Sequence, residues 1–118
     1  MQHPIRRIEK PWGYELIFAH TDRYVGKILH VDAGHALSLQ YHELKDETLL
    51  LREGEVELLV EENGEMVTRV LRAGDSYRIS PPTKHRMIAG ENGCDIIEVS
   101  TPELDDVVRL EDRYGRTP

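Results

Sequence analysis

Residues 34–54 read GHALSLQYHELKDETLLLREG, a segment that alternates like a strand, turns, and sets out again. Leu37, Leu39 and Tyr41 fall on one face and Ser38, Gln40 and His42 on the other, because successive strand side chains point to opposite sides. A half-buried strand ordinarily gives its polar face to water. Here that face carries Gln40 and His42 two residues apart, projecting the same way. Glu43 to Asp46 make a short polar turn, and Glu47 opens a second apolar strand. One imidazole nitrogen and two side-chain oxygens at this spacing suit a borderline divalent ion. A fourth donor must come from elsewhere in the chain, and His85 is the best candidate.

Outward from this segment the chain reads as short strands separated by Gly, Pro, Asn and Asp turns. Pro11-Trp12-Gly13 is a turn before Tyr14–Ala19, and Tyr24–Val31 follows the turn at His20–Arg23. Thr48–Glu53 and Glu55–Glu61 read as two strands kinked at Gly54, and Asn63-Gly64 is a strong hairpin signal. Met66–Leu71, Ser76–Ser80, His85–Ala89 and Asp95–Thr101 complete the series, with Pro81-Pro82 as a rigid corner and Gly90, Asn92 and Gly93 in a loop. Nine or ten short strands at regular spacing predict an all-β chain closed into a barrel or a double-sheet jelly roll. Residues 1–10 read as a polar arm that orders only in part, and 102–118 as an irregular tail with a helical turn.

At 118 residues the chain is the size of one domain. Charged residues make up 31% and hydrophobic ones 39%, as in ordinary globular proteins. A net charge of −7 with no basic run argues against a nucleic-acid partner. It leaves room for an anionic small molecule, since a local cationic cluster can outweigh a distant negative surface. Cys94 is the only cysteine, which excludes an internal disulfide and a thiolate cage. No apolar run approaches the ~20 residues that span a bilayer, and no signal-peptide core is seen, so the expected location is the cytoplasm.

Residues 34–54 resemble the first cupin motif, G-x5-H-x-H-x3,4-E-x6-G. Gly34, His42, Glu47 and Gly54 match it, and Gln40 stands at the first histidine position, as in cupins that are phosphomannose isomerases. The second motif, G-x5-P-x-G-x2-H-x3-N, is matched at Gly74 and His85, while Ser80, Pro82 and Ala89 depart from it. Arg7-Ile8-Glu9-Lys10-Pro11-Trp12-Gly13-Tyr14-Glu15 is similar to the R-x3-P-W-G-x-[YE] opening of the isomerase domain of type II mannose-6-phosphate isomerases. There the domain often follows a GDP-mannose pyrophosphorylase domain, which these residues do not include. Residues 105–116, DDVVRLEDRYGR, resemble that family's D-D-I-V-R-x-E-D-x-Y-G-R ending, and Glu43–Asp46 depart from a pattern closer to His-x-Arg-Ala.

The resemblance implies a cupin jelly-roll barrel (a double-stranded β-helix) with one divalent ion on Gln40, His42, Glu47 and His85. Zinc is the first expectation; manganese, iron, nickel or cobalt fit the same donors. It implies interconversion of mannose 6-phosphate and fructose 6-phosphate through an enediolate, with Arg109 and Arg116 for phosphate binding or catalysis and Lys27 as acid/base or supporting group. The competing readings are a tail whose arginines merely pair with Asp105, Asp106, Glu111 and Asp112, and a solvated Lys27. At the level of the whole chain the alternatives are a cupin that binds a sugar or metabolite without turnover, and a metal-dependent dioxygenase, against which Gln40 counts. A homodimer is implied as well, with Leu37 and Leu39 as interface or core members.

Overall fold

A computed structural model describes residues 1–117. Its strands are β1 (Arg6–Lys10), β2 (Gly13–His20), β3 (Val25–Val31), β4 (Leu39–Tyr41), β5 (Glu47–Glu62), β6 (Glu65–Arg72), β7 (Ser76–Ile79), β8 (His85–Ser100) and β9 (Val108–Glu111). All pairings are antiparallel. Among the described residues there is no helix, and so none long and apolar enough to cross a membrane.

Two long strands organise the rest. The first half of β5 (Glu47–Gly54) pairs with β7 on one side and with Cys94–Ser100 of β8 on the other. β8 then continues to β3, β2 and β1. The second half of β5 pairs with β6 and with His85–Ala89 of β8, which leads on to β4 and β9. β5 and β8 therefore run through both layers of a curled, cupin-type sheet. The sequence reading breaks each of them at its glycines; the structure bends them there instead. Register shifts fall between Leu51 and Glu53 and between Gly54 and Val56. Gly54 (φ +83°) and Gly93 (φ +71°) meet at this corner, where a Cβ on Gly54 would lie 2.2 Å from the Gly93 carbonyl oxygen. Bulges of this kind turn a sheet without ending its ladder.

The core lies between the layers and includes Trp12, Leu29, Leu49, Leu51, Leu58, Ile79, Met87 and Ile96. Leu37 belongs to it, while Leu39 is half-buried. Burial of the Cys94 thiol, with Asp95 beside it, pushes its pKa up to about 12, so this thiol is inert at neutral pH.

Strands form near both ends of the described residues. Residues 1–5 lie outside any strand, but Arg6–Lys10 pair along β2. The expected helical turn in 102–118 does not form among the described residues: Val108–Glu111 is a strand on the free edge of β4. An exposed row of unpaired backbone groups captures the tail, overriding its weak local preference.

Candidate metal centre

Three strand ends meet at one end of the sheet. His42 follows β4, Glu47 opens β5, and His85 opens β8 between Gln40 and Val60. The inward face of 38–42 is the polar one: Ser38 and His42 are buried and Gln40 half-buried. His42 Nε2 lies 3.4 Å and His85 Nε2 3.1 Å from Glu47 Oε1. The donor atoms of the three residues are all within 4.8 Å of one another, a cluster that can hold a metal ion.

Protons decide what this cluster wants. His42 Nδ1 donates to the Asp106 carbonyl at 2.5 Å, and His85 Nδ1 donates to the Thr83 carbonyl at 3.0 Å. A carbonyl only accepts, so each ring commits its proton to Nδ1 and, when neutral, turns the Nε2 lone pair inward. Both Nε2 atoms and Glu47 Oε1 are buried without a hydrogen-bond partner, and Glu47 Oε2 has only the Lys45 ammonium beside it, at 3.1 Å. Unpaired buried polar groups cost about 1–3 kcal/mol each. Convergent lone pairs and a carboxylate with no donor among them fit a divalent cation. Backbone carbonyls on the outer ring nitrogens are the usual support of histidine ligands. Burial pushes the Glu47 carboxyl up, but hydrogen bonds from the two imidazoles when they are protonated, together with the Lys45 ammonium, outweigh it and hold it well below the usual carboxylate range.

Gln40 lines the same cavity as His42, and its Oε1 accepts a hydrogen bond from Ser38 Oγ at 2.7 Å. The cavity, about 90 Å³, opens onto Lys10, Trp12, Glu15, Lys27, Lys45, Glu98, Arg109 and Arg116 as well. Five cationic side chains thus face it against two wall carboxylates, in a chain whose net charge is −7. Arg109 faces Gln40 across the β4–β9 ladder, and its Nε is buried without a partner among the described residues. Arg116 is the half of the paired-tail reading that holds: its Nε and Nη2 donate to Asp112 at 2.8 and 3.0 Å. Lys27 is buried rather than solvated, 3.3 Å from Glu15 and 3.7 Å from Glu98.

The tail closes the cavity and braces the donors. Asp106, whose carbonyl orients His42, accepts through its carboxylate from the backbone N–H groups of Glu43, Leu44 and Lys45. Burial pushes the Asp106 carboxyl up, but these N–H groups bring it below its ordinary value. Hydrogen bonds from Arg116 lower Asp112 from 3.8 to about 2. A carboxyl depressed on folding stabilises above its unfolded pKa and ceases to as pH falls through the folded one. Docking of the 112–116 turn should therefore be intact above about pH 4 and be lost as pH approaches about 2. Amide exchange at Tyr114–Arg116 measures it, and Asp112→Asn should raise that exchange above about pH 4 while changing it little as pH approaches about 2.

Sequence reasoning missed Lys45, Glu98 and Glu15. Lys45 Nζ bridges Glu47 Oε2 and Glu98 Oε2, both at 3.1 Å, and Lys27 and Glu15 extend the row to Lys10 Nζ, 3.8 Å from Glu15 Oε1. Burial alone would lower the pKa of the Lys45 ammonium, but Glu98 and Glu47 reverse this and raise it. Glu98 is raised, first by burial and then by the Glu47 charge, against Lys45 and Lys27. The signal was available: Glu98 shares a strand face with Ile96, and Lys27 with Leu29, so each places a charge on an apolar face.

Comparison with known proteins agrees with this fold. Mannose-1-phosphate guanylyltransferase ManC of Salmonella typhimurium is 37% identical over 119 residues, covering 97% of this chain and 24% of its own length. Xanthan biosynthesis protein XanB of Xanthomonas campestris pv. campestris is 33% identical over 116 residues, covering 95% of this chain and 24% of its own length. The chain spans about a quarter of the length of these relatives. Among solved structures, KdgF from Halomonas sp. superposes with a TM-score of 0.73 at 26% identity, over 87% of this chain and 89% of that one. Oxalate decarboxylase from Bacillus subtilis gives a TM-score of 0.79 over 97% of this chain and 32% of that one, a likeness of fold at 18% identity. The family described as Mannose-6-phosphate isomerase C-terminal matches residues 1–112, and the chain belongs to it.

Proposed function

We propose that the chain is a metal-dependent sugar-phosphate isomerase interconverting mannose 6-phosphate and fructose 6-phosphate by a 1,2 proton shift through an enediolate. The observation that carries the reading is the convergence of the buried donors of His42, Glu47 and His85, with both Nε2 atoms and Glu47 Oε1 lacking a hydrogen-bond partner, beside a cation-lined cavity. These three residues with Gln40 would hold one divalent ion, zinc first and manganese, iron, nickel or cobalt after it. Such an ion supplies electrophilic polarisation of the sugar's carbonyl and hydroxyl oxygens.

The remaining roles fall to the chain's own side chains. Arg109, with its buried unpaired Nε, receives the phosphate, and Arg116, fixed by Asp112, adds a second guanidinium at the cavity wall. A base must carry the C2 proton to C1, and Lys27, held by Glu15 and Glu98, is the candidate acid/base group, giving a proton to the oxygen that becomes a hydroxyl and recovering one from the hydroxyl that becomes the carbonyl. Trp12, Leu104 and Val107 supply apolar wall that excludes water.

The test is exchange of the C2 hydrogen of mannose 6-phosphate in deuterated water, followed by NMR together with ketose formation. Both should vanish with chelator and return with one divalent ion. Metal-loaded protein that gives neither would sink the isomerase reading. One feature favours binding without turnover instead: Glu15 and Glu98, the carboxylates on the wall, are both engaged by lysine. Under that reading mannose 6-phosphate binds and C2 exchange is absent.

The same proposal places the protein in the cytoplasm as a homodimer. The outer sheet face offers an apolar row, Leu16–Ile28–Ile97–Leu50, across four adjacent strands, with Val99 and Phe18 exposed beside it. Light-scattering mass at micromolar concentration decides it, a monomer counting against the dimer.

A further inference from the structure

The two oxygens of Glu47 have different neighbours. Oε1 faces both imidazole Nε2 atoms, and Oε2 faces the Lys45 ammonium at 3.1 Å. Lys45 is in turn drawn toward Glu98 at an equal 3.1 Å, and Glu98 is steadied from behind by Lys27 at 3.7 Å. All four side chains are buried. Stability does not account for this row, because well-packed apolar groups replace buried ion pairs at little or no cost. Its geometry does a second thing: it divides one carboxylate between a lysine and the donor cluster.

We propose that Lys45, anchored by Glu98, is a positioning residue that occupies Glu47 Oε2 and reserves Oε1 alone for the cation, keeping one coordination position open to an oxygen ligand. The inference rests on the metal reading above and not on the identity of the sugar. With Lys45 removed, both Glu47 oxygens are free to bind the ion, and the open position fills. With only Glu98 neutralised, Lys45 loses its second anion, settles wholly on Glu47 and competes with the ion for it. The two changes therefore act in opposite directions on affinity, and the double change follows the first.

The test is Co²⁺ titration of the full metal-free chain by calorimetry and visible absorption, since d–d bands weaken as the coordination number rises. Lys45→Met should tighten Co²⁺ binding on the order of tenfold, about 1.4 kcal/mol, and lower the molar absorption. Glu98→Gln should weaken binding by a similar factor. Because Lys45→Met alone leaves Glu47 and Glu98 facing each other unpaired, the Lys45→Met/Glu98→Gln double variant decides, and near-UV circular dichroism checks its fold. It should match Lys45→Met in affinity and spectrum. A double variant whose affinity and spectrum equal the parent's, or whose binding is weaker than that of Glu98→Gln, overturns the proposal. A parent chain that takes up no Co²⁺ overturns it together with the metal reading. A parent that binds Co²⁺ but leaves mannose 6-phosphate unchanged removes only the isomerase reading.

Discussion

Replacing His85 by leucine should abolish metal-induced stabilisation while leaving the metal-free protein as stable as the parent, or more so. The parent gains about 4 kcal/mol when a divalent ion is present at a thousand times its dissociation constant. The leucine variant loses a donor outright, which exceeds the 10–100-fold cost of disturbing a supporting contact. It gives up the Nδ1 bond to the Thr83 carbonyl, but it also removes a buried Nε2 that has no partner and fills the space with apolar volume. An ordinary core histidine behaves in the opposite way: its loss lowers stability and does nothing to metal binding. Urea unfolding with and without Zn²⁺ separates the two, and a metal-dependent shift that survives in His85→Leu would remove His85 from the donor set. His42→Leu should follow the same pattern.

The second large effect is structural. Gly54→Ala should cost about 2–6 kcal/mol, combining a left-handed backbone at about 1–3 with overpacking at about 1–3. The added Cβ would stand 2.2 Å from the Gly93 carbonyl oxygen and 3.0 Å from the Cys94 Cα, all backbone atoms that cannot step aside. Gly64 is the control. Its φ of +81° nearly equals the +83° of Gly54, and nothing lies within 4 Å of its would-be Cβ. Gly64→Ala therefore carries the backbone cost alone. The difference between the two midpoints in urea measures the close approach at the corner, and equal midpoints would mean that the corner gives way freely.

What the sequence made legible follows from how local each signal is. Gln40, His42 and Glu47 lie within eight residues of chain and inherit their relative placement from one strand and one turn. His85 required the assumption of closure, and the structure does bring it to Glu47. The fused strands β5 and β8 escaped because a glycine in a strand looks the same whether the ladder ends or bends. Only the partner strand decides, through the Gly54–Gly93 contact. The tail strand escaped for a similar reason, since an alternation of only four residues, Val108–Glu111, is too short to stand as a strand without the edge it meets. Lys45 and Glu98 were visible as charges but not as a pair. Residues 53 positions apart become neighbours only through the β5–β8 register.

The embrace of His42 and the 43–45 loop by Asp106 sets an order of events. Asp106 lies beyond β8, so a ribosome delivers every strand that carries a donor before it delivers the group that fixes the His42 tautomer. On the proposed metal reading, ion capture would wait for residue 106, and a nascent or clipped molecule lacking it would carry the candidate donors without the carbonyl that orients His42.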